Sequence, residues 1–200
     1  MPYQSSRHLG GLAATALLAA TLATPPAEAA SQFNFTMVRS AGLPATCAPN
    51  ARATVRVEAG FAEKLTLTVR GFREGTALVL FVIQKPNFPF GLGWYTGDVP
   101  VGEGGMVTKV FRSRFNAETF GLALDDVPAP VEHPGDADRN PPFQPVHTFH
   151  LGIWFDSPAD AARNGCATNT TPFNGDHTAG IQVLSTRNFG DLNGPLKRID

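Results

Sequence analysis

Past its first thirty residues the chain has no apolar run long enough to cross a bilayer as a helix, a crossing that takes about 20 residues. Charge is scarce as well. Asp, Glu, Lys and Arg make up 16% of the residues and nearly cancel, leaving a formal net charge of −1. Without an excess of base there is no electrostatic footprint for nucleic acid or anionic lipid. Serine is sparse after the N-terminal segment, and none sits in Gly-x-Ser-x-Gly, so a nucleophile elbow is excluded. No repeat of fixed period and no low-complexity tract occurs. What the chain does have is phenylalanine, 15 of them, in a composition far from that of disordered proteins.

The N-terminus reads as a targeting segment. Arg7 and His8 precede an uncharged Ala/Leu-rich run from Leu9 to Ala23, and Pro25-Pro26 stops any helix. Ala27-Glu28-Ala29 places small residues at the third and first positions before a cut, so cleavage is expected after Ala29. That leaves a single domain over 30–200, secreted or periplasmic, with no transmembrane helix of its own. Only two cysteines are present, Cys47 and Cys166, both in turn-like stretches. In an exported protein they are expected to pair.

The mature part alternates. Ala53-Thr54-Val55-Arg56-Val57-Glu58 and Leu65-Thr66-Leu67-Thr68-Val69-Arg70 put apolar and polar residues on opposite parities, the mark of antiparallel strands wet on one face. Ala59–Lys64 joins them. Ala77–Ile83 is apolar throughout and is expected to be a central strand covered on both faces. A proline-rich loop, Lys85–Gly91, follows. Leu92–Val99 and Met106–Phe115, on either side of Gly102-Glu103-Gly104-Gly105, read as a hairpin.

Asn116–Leu124 reads as a helical turn and Asp125–Pro145 as a long acidic, proline-rich loop. His147–Asp156 is the last long strand. Phe149, Leu151, Ile153 and Phe155 share one face of it, and His150, Gly152, Trp154 and Asp156 the other. Ser157 then caps a short helix near 158–164 that opens on Pro158 and closes at Gly165. Ile181–Thr186 is a final short strand. About seven strands and one helix predict a mainly β, single antiparallel sandwich, for which an immunoglobulin-like layout is one arrangement.

Candidate chemistry is thin. If Cys47 and Cys166 pair, neither is a nucleophile. His147 and His150 are three apart, so a strand would splay them and deny them one ion. A transition-metal site would have to draw on His150, Asp156 and His177. Asp136-Ala137-Asp138-Arg139-Asn140 begins like a calcium loop but then offers Pro141 where glycine is needed and His147 where a bidentate Glu is needed. An irregular calcium site could still use Asp125, Asp126, Glu132, Asp136 or Asp138. Asp98 and Asp156 end aromatic strands, but glycoside hydrolysis needs a defined separation that sequence does not supply. Phe88, Phe90, Trp94 and Tyr95 cluster near the proline-rich loop. With Trp154 they form a candidate aromatic platform, against a competing reading as packing between sheets.

These features point to an exported, non-enzymatic β-sandwich that binds an extracellular or envelope partner and needs no cofactor. The alternatives are a metal- or calcium-dependent secreted protein and a carbohydrate-binding module using Trp94, Tyr95 or Trp154.

Overall fold

The structure is a computed structural model that describes residues 32–115, 146–199 and the backbone of 120–121. The proposed signal segment and the Asp125–Pro145 loop, with its calcium candidates, lie outside the described residues.

The fold is mainly β. Strands β1 (Gln32–Arg39), β2 (Arg52–Glu58), β3 (Glu63–Arg70), β4 (Ala77–Ile83), β5 (Gly93–Pro100), β6 (Met106–Ser113), β9 (His150–Phe155) and β10 (Gln182–Ser185) form one antiparallel sheet, in the order β5-β4-β9-β10-β1-β2-β3-β6. Two short strands, β7 (Phe120–Gly121) and β8 (Val146–His147), pair apart from it. One helix, α1 (Pro158–Arg163), follows β9. None of the described helices is long and apolar enough to cross a membrane.

The sheet folds back on itself because β1 belongs to both halves. Its first six residues pair with β2, and Val38 and Arg39 pair with β10. β1 lies upstream of the segment where alternation was read from sequence. Yet Phe33, Phe35 and Met37 point inward and Gln32, Asn34 and Thr36 outward, so the same signal was present there. The far edges, β5 and β6, come together to leave the fold nearly closed. Gly97 (φ +152) sits at a break in the β4–β5 register, and a Cβ there would lie 2.9 Å from the Phe111 ring. The missing side chain lets β6 approach, and Lys109 Nζ donates to the Asp98 carbonyl.

Between the two halves lies the main core. Val55, Val57, Leu65, Leu67 and Val69 face Leu78, Leu80, Val82, Leu151, Ile153 and Phe155, all fully buried or nearly so. Complete burial of one such aliphatic side chain contributes about 1.5–3 kcal/mol.

Cys47 and Cys166 are bonded, with Cα atoms 4.3 Å apart. The bridge ties the loop after β1 to the end of α1. Beside it the Ala48 amide donates to the Asn164 carbonyl (2.9 Å), and Arg39 Nη2 donates to the carbonyls of Pro44 (2.6 Å) and Cys47 (2.8 Å). It closes a loop of 119 residues. On chain entropy a loop of that size gains about 4.7 kcal/mol, although measured gains are often smaller.

The helix forms where its punctuation predicts. The Ser157 hydroxyl accepts from the Asp160 amide (3.1 Å), and Pro158 opens the first turn. Asp160 does more than favour the helix dipole: its Oδ1 accepts from the Ala77 amide (3.0 Å) and fixes α1 against the start of β4.

Three local expectations need correction. β5 and β6 are not a hairpin: β5 pairs with β4, and β6 pairs with β3. The reason lies in the glycine turn between them. The Gly71 amide donates to the Gly105 carbonyl (3.1 Å), and a Cβ on Gly105 would lie 2.1 Å from the Phe72 carbonyl oxygen. The turn is thus clamped to the end of β3 and delivers β6 alongside it. Within Asn116–Leu124, Phe120–Gly121 is extended and pairs with Val146–His147 instead of turning as a helix; the remainder lies outside the described residues. The late strand is also broken, at Thr148–Phe149, between β8 and β9.

Candidate functional site

β4 and β9 are adjacent in the sheet, so both of their faces need cover. The inner face joins the main core. On the outer face, Val79, Phe81 and Ile83 of β4 stand beside Trp154 of β9. Two loops cover them: Lys85–Leu92, which contains the cis Phe88–Pro89 bond, and the segment around Phe173–Ala179. The result is a second, aromatic core. Trp154 stacks on Phe173 (centroids 4.2 Å) and meets Phe90 (5.0 Å) and Phe81 (5.5 Å) edge to face. Gly152 makes room for the indole, since a Cβ there would lie 2.4 Å from the ring.

This geometry separates the three aromatic candidates. Tyr95 and Trp154 are brought to one cluster, because both rings contact Phe81. Trp94 goes to the opposite face, where it stacks on Phe115 and its indole N–H donates to the Thr148 hydroxyl (3.2 Å). Trp154 shares its strand face with His150 and Asp156, yet it is fully buried, as the packing reading has it, because loops distant in sequence lie across that face. Tyr95 is 46% exposed. Its hydroxyl donates to Asp98 Oδ1 (2.7 Å), and that bond to a carboxylate pushes its pKa up to about 12.

Beside the second core a groove of about 480 Å³ opens to solvent. One wall is Ser40–Leu43, from the loop that runs toward Cys47. The other is Asn87, Phe88 and Phe90, and the floor includes Trp154, Ile181 and Gln182. Phe88 stands at the rim, 85% exposed, with its ring against Phe90 (centroids 5.8 Å). Two polar atoms of the wall residues, Ser40 Oγ and Asn87 Oδ1, are buried without a hydrogen-bond partner among the described residues. Leaving such a group unsatisfied costs about 1–3 kcal/mol. The described side chains that line the groove carry no charge.

Sequence reading had marked Phe88, Phe90 and Trp154 here. It missed Ser40, Asn87 and Gln182, which come from three separate segments and show no local pattern. A buried polar atom without a partner is visible only once the neighbours are known.

The alternative metal ligands do not converge. His150 opens β9 and Asp156 follows its end, which places them about 20 Å apart at the rise of an extended strand. Among the described residues, no group of three His, Cys, Asp or Glu side chains could hold an ion. His150 has a structural place instead. It is fully buried, with Nε2 3.1 Å from the Asp191 carbonyl and Nδ1 2.9 Å from the Thr186 hydroxyl. A carbonyl only accepts, so the ring proton is assigned to Nε2 and the threonine hydroxyl donates to Nδ1. Burial pushes the pKa of this imidazole down and keeps it neutral.

The chain matches no family model, no curated protein and no solved structure. What the site does must therefore be argued from its own geometry.

Proposed function

We propose that the protein is an exported, non-enzymatic binding module whose groove takes a neutral, hydroxyl-bearing ligand with the chemistry of a sugar. The observation that carries this reading is the pairing, in one groove, of an exposed aromatic ring at Phe88 with uncharged polar side chains, Ser40, Asn87, Thr171 and Gln182. An aromatic face suits the apolar side of a sugar ring. Hydroxyl and amide side chains both donate and accept, as the hydroxyls of a sugar do. A charged ligand would find no counter-charge in this lining. The volume lies within the range of about 300–1,000 Å³ usual for small-molecule sites.

Both cysteines are held in the disulfide, and among the described residues no titratable side chain lines the groove. These facts favour binding over catalysis. The disulfide favours an oxidising compartment, which agrees with a cleaved N-terminal segment.

The test is titration with a panel of neutral oligosaccharides, read by tryptophan fluorescence. In Trp94→Phe the signal comes from Trp154 alone, at the groove floor. A saturable change that disappears in Phe88→Ala and Asn87→Ala is expected. Silence across a broad panel, in protein whose cooperative unfolding shows it to be folded, overturns the reading.

A further inference from the structure

The opposite half of the sheet carries a second candidate surface, unrelated to the groove. Among the described residues no loop lies across the outer face of β1-β2-β3-β6, and its side chains form rows across the strands. Thr36, Thr54, Thr68 and Thr108 are direct cross-strand partners in one row. On one side of it Glu58 stands among three bases, Arg56 on its own strand and Lys64 and Arg112 across the sheet. Glu58 Oε1 accepts from Lys64 Nζ at 3.0 Å and lies 3.3 Å from Arg56 Nε, while Arg56 Nη2 donates to Gln32 Oε1 at 2.6 Å. On the other side Arg52 stands directly opposite Arg70. Among the described residues neither of these guanidiniums meets a carboxylate. Arg52 Nη1 makes one long contact to the Asn50 carbonyl (3.5 Å), and the residue beside Arg70 on β6 is Met106.

Like charges directly opposite each other destabilise a sheet. The same face shows that an acid could have been placed among its bases, as Glu58 is. Between the two arginines lies a hollow of about 140 Å³ lined by Arg52, Ala53, Thr54, Thr68 and Arg70. It is well below the size of sites for drug-like molecules, which begin at about 300 Å³. Two guanidinium forks from opposite sides and the Thr54 hydroxyl from the neighbouring row offer donors in several directions, while the Thr68 hydroxyl shares a hydrogen bond with that of Thr108 (2.9 Å). A planar carboxylate uses one fork, whereas a tetrahedral oxyanion presents oxygens to all of these donors. We propose that the hollow between Arg52 and Arg70 is a binding site for one sulfate or phosphate group, as the free ion or as a substituent on a sugar.

The experiment measures melting temperature of the mature protein and of Arg70→Gln and Arg52→Gln against rising sodium sulfate, sodium phosphate or a monosaccharide sulfate. Sodium chloride at equal ionic strength is the reference. Sulfate stabilises many proteins by exclusion, without saturating and without a site. The proposal requires a saturable rise in at least one arm of the native protein, and at least about a tenfold weaker midpoint in each variant. The arm that saturates first names the source of the group. It also requires that either variant in chloride melt no lower than the native protein, since each removes a like-charge contact. Equal rises in native protein and variants, no saturation in any arm, or variants that melt several degrees lower in chloride each overturn it.

Discussion

The two halves of the sheet carry the same alternation of side chains and end in opposite surroundings. On β2 and β3 the outward parity is threonine, arginine, Glu58 and Lys64, and these side chains are exposed or half-buried. On β4 and β9 the outward parity includes Val79, Phe81 and Trp154, and two loops lie across it as a second core. Period two fixes which residues share a face. It does not say what that face meets. The comparison also separates the two proposed sites: a neutral groove beside the covered half, and a cationic hollow on the open one.

The sharpest way to break this contrast is Trp154→Ala. If the outer face of β9 is core, the substitution costs about 3–5 kcal/mol in denaturant unfolding, the range for truncating a buried aromatic. A loss below about 1 kcal/mol would return Trp154 to the surface and collapse the distinction between the halves.

A smaller effect comes from His150, also in the covered half. Its folded pKa is depressed, so the unfolded chain takes up a proton first as pH falls. The stability it contributes is present above its ordinary value near pH 6.5 and is lost as pH drops through the lower, folded value. Between those two values the slope is at most about 1.4 kcal/mol per pH unit for one group. Urea unfolding from about pH 7 to about pH 5 should therefore fall more steeply in the native protein than in His150→Gln. Parallel profiles would mean that the buried ring charges freely.

The smallest effect belongs to the open face. Thr54→Val, at an exposed site with threonines on either side, should change stability by no more than about 0.5 kcal/mol. A loss comparable to that of Trp154→Ala would show that this face is covered after all.

Much of the fold was legible before any coordinates. Ala77–Ile83 has no polar residue to turn outward, so it could only be covered on both faces, as β4 is. Ser157 and Pro158 carried a helix start that did not depend on distant contacts. The β5–β6 pairing was not legible, because a glycine-rich turn looks alike whether it closes a hairpin or turns a corner. The anchorage of Gly105 on Gly71 and Phe72, more than thirty positions earlier in the chain, decided it. The candidate groove was half visible. Its aromatic residues stand out in any reading, whereas Ser40 and Asn87 join it only because distant segments meet there.

By itself the sequence determined the parity of each strand, the position of the helix and the pair of cysteines able to bond. These follow from backbone geometry, capping chemistry and the small number of thiols. Only the tertiary structure decided which faces are dry, that β5 pairs with β4 and β6 with β3, and that Arg52 faces Arg70. Each of those depends on which strands lie side by side and which loops cross them. That choice is made by burying the most apolar surface over the whole chain, and no single segment carries it.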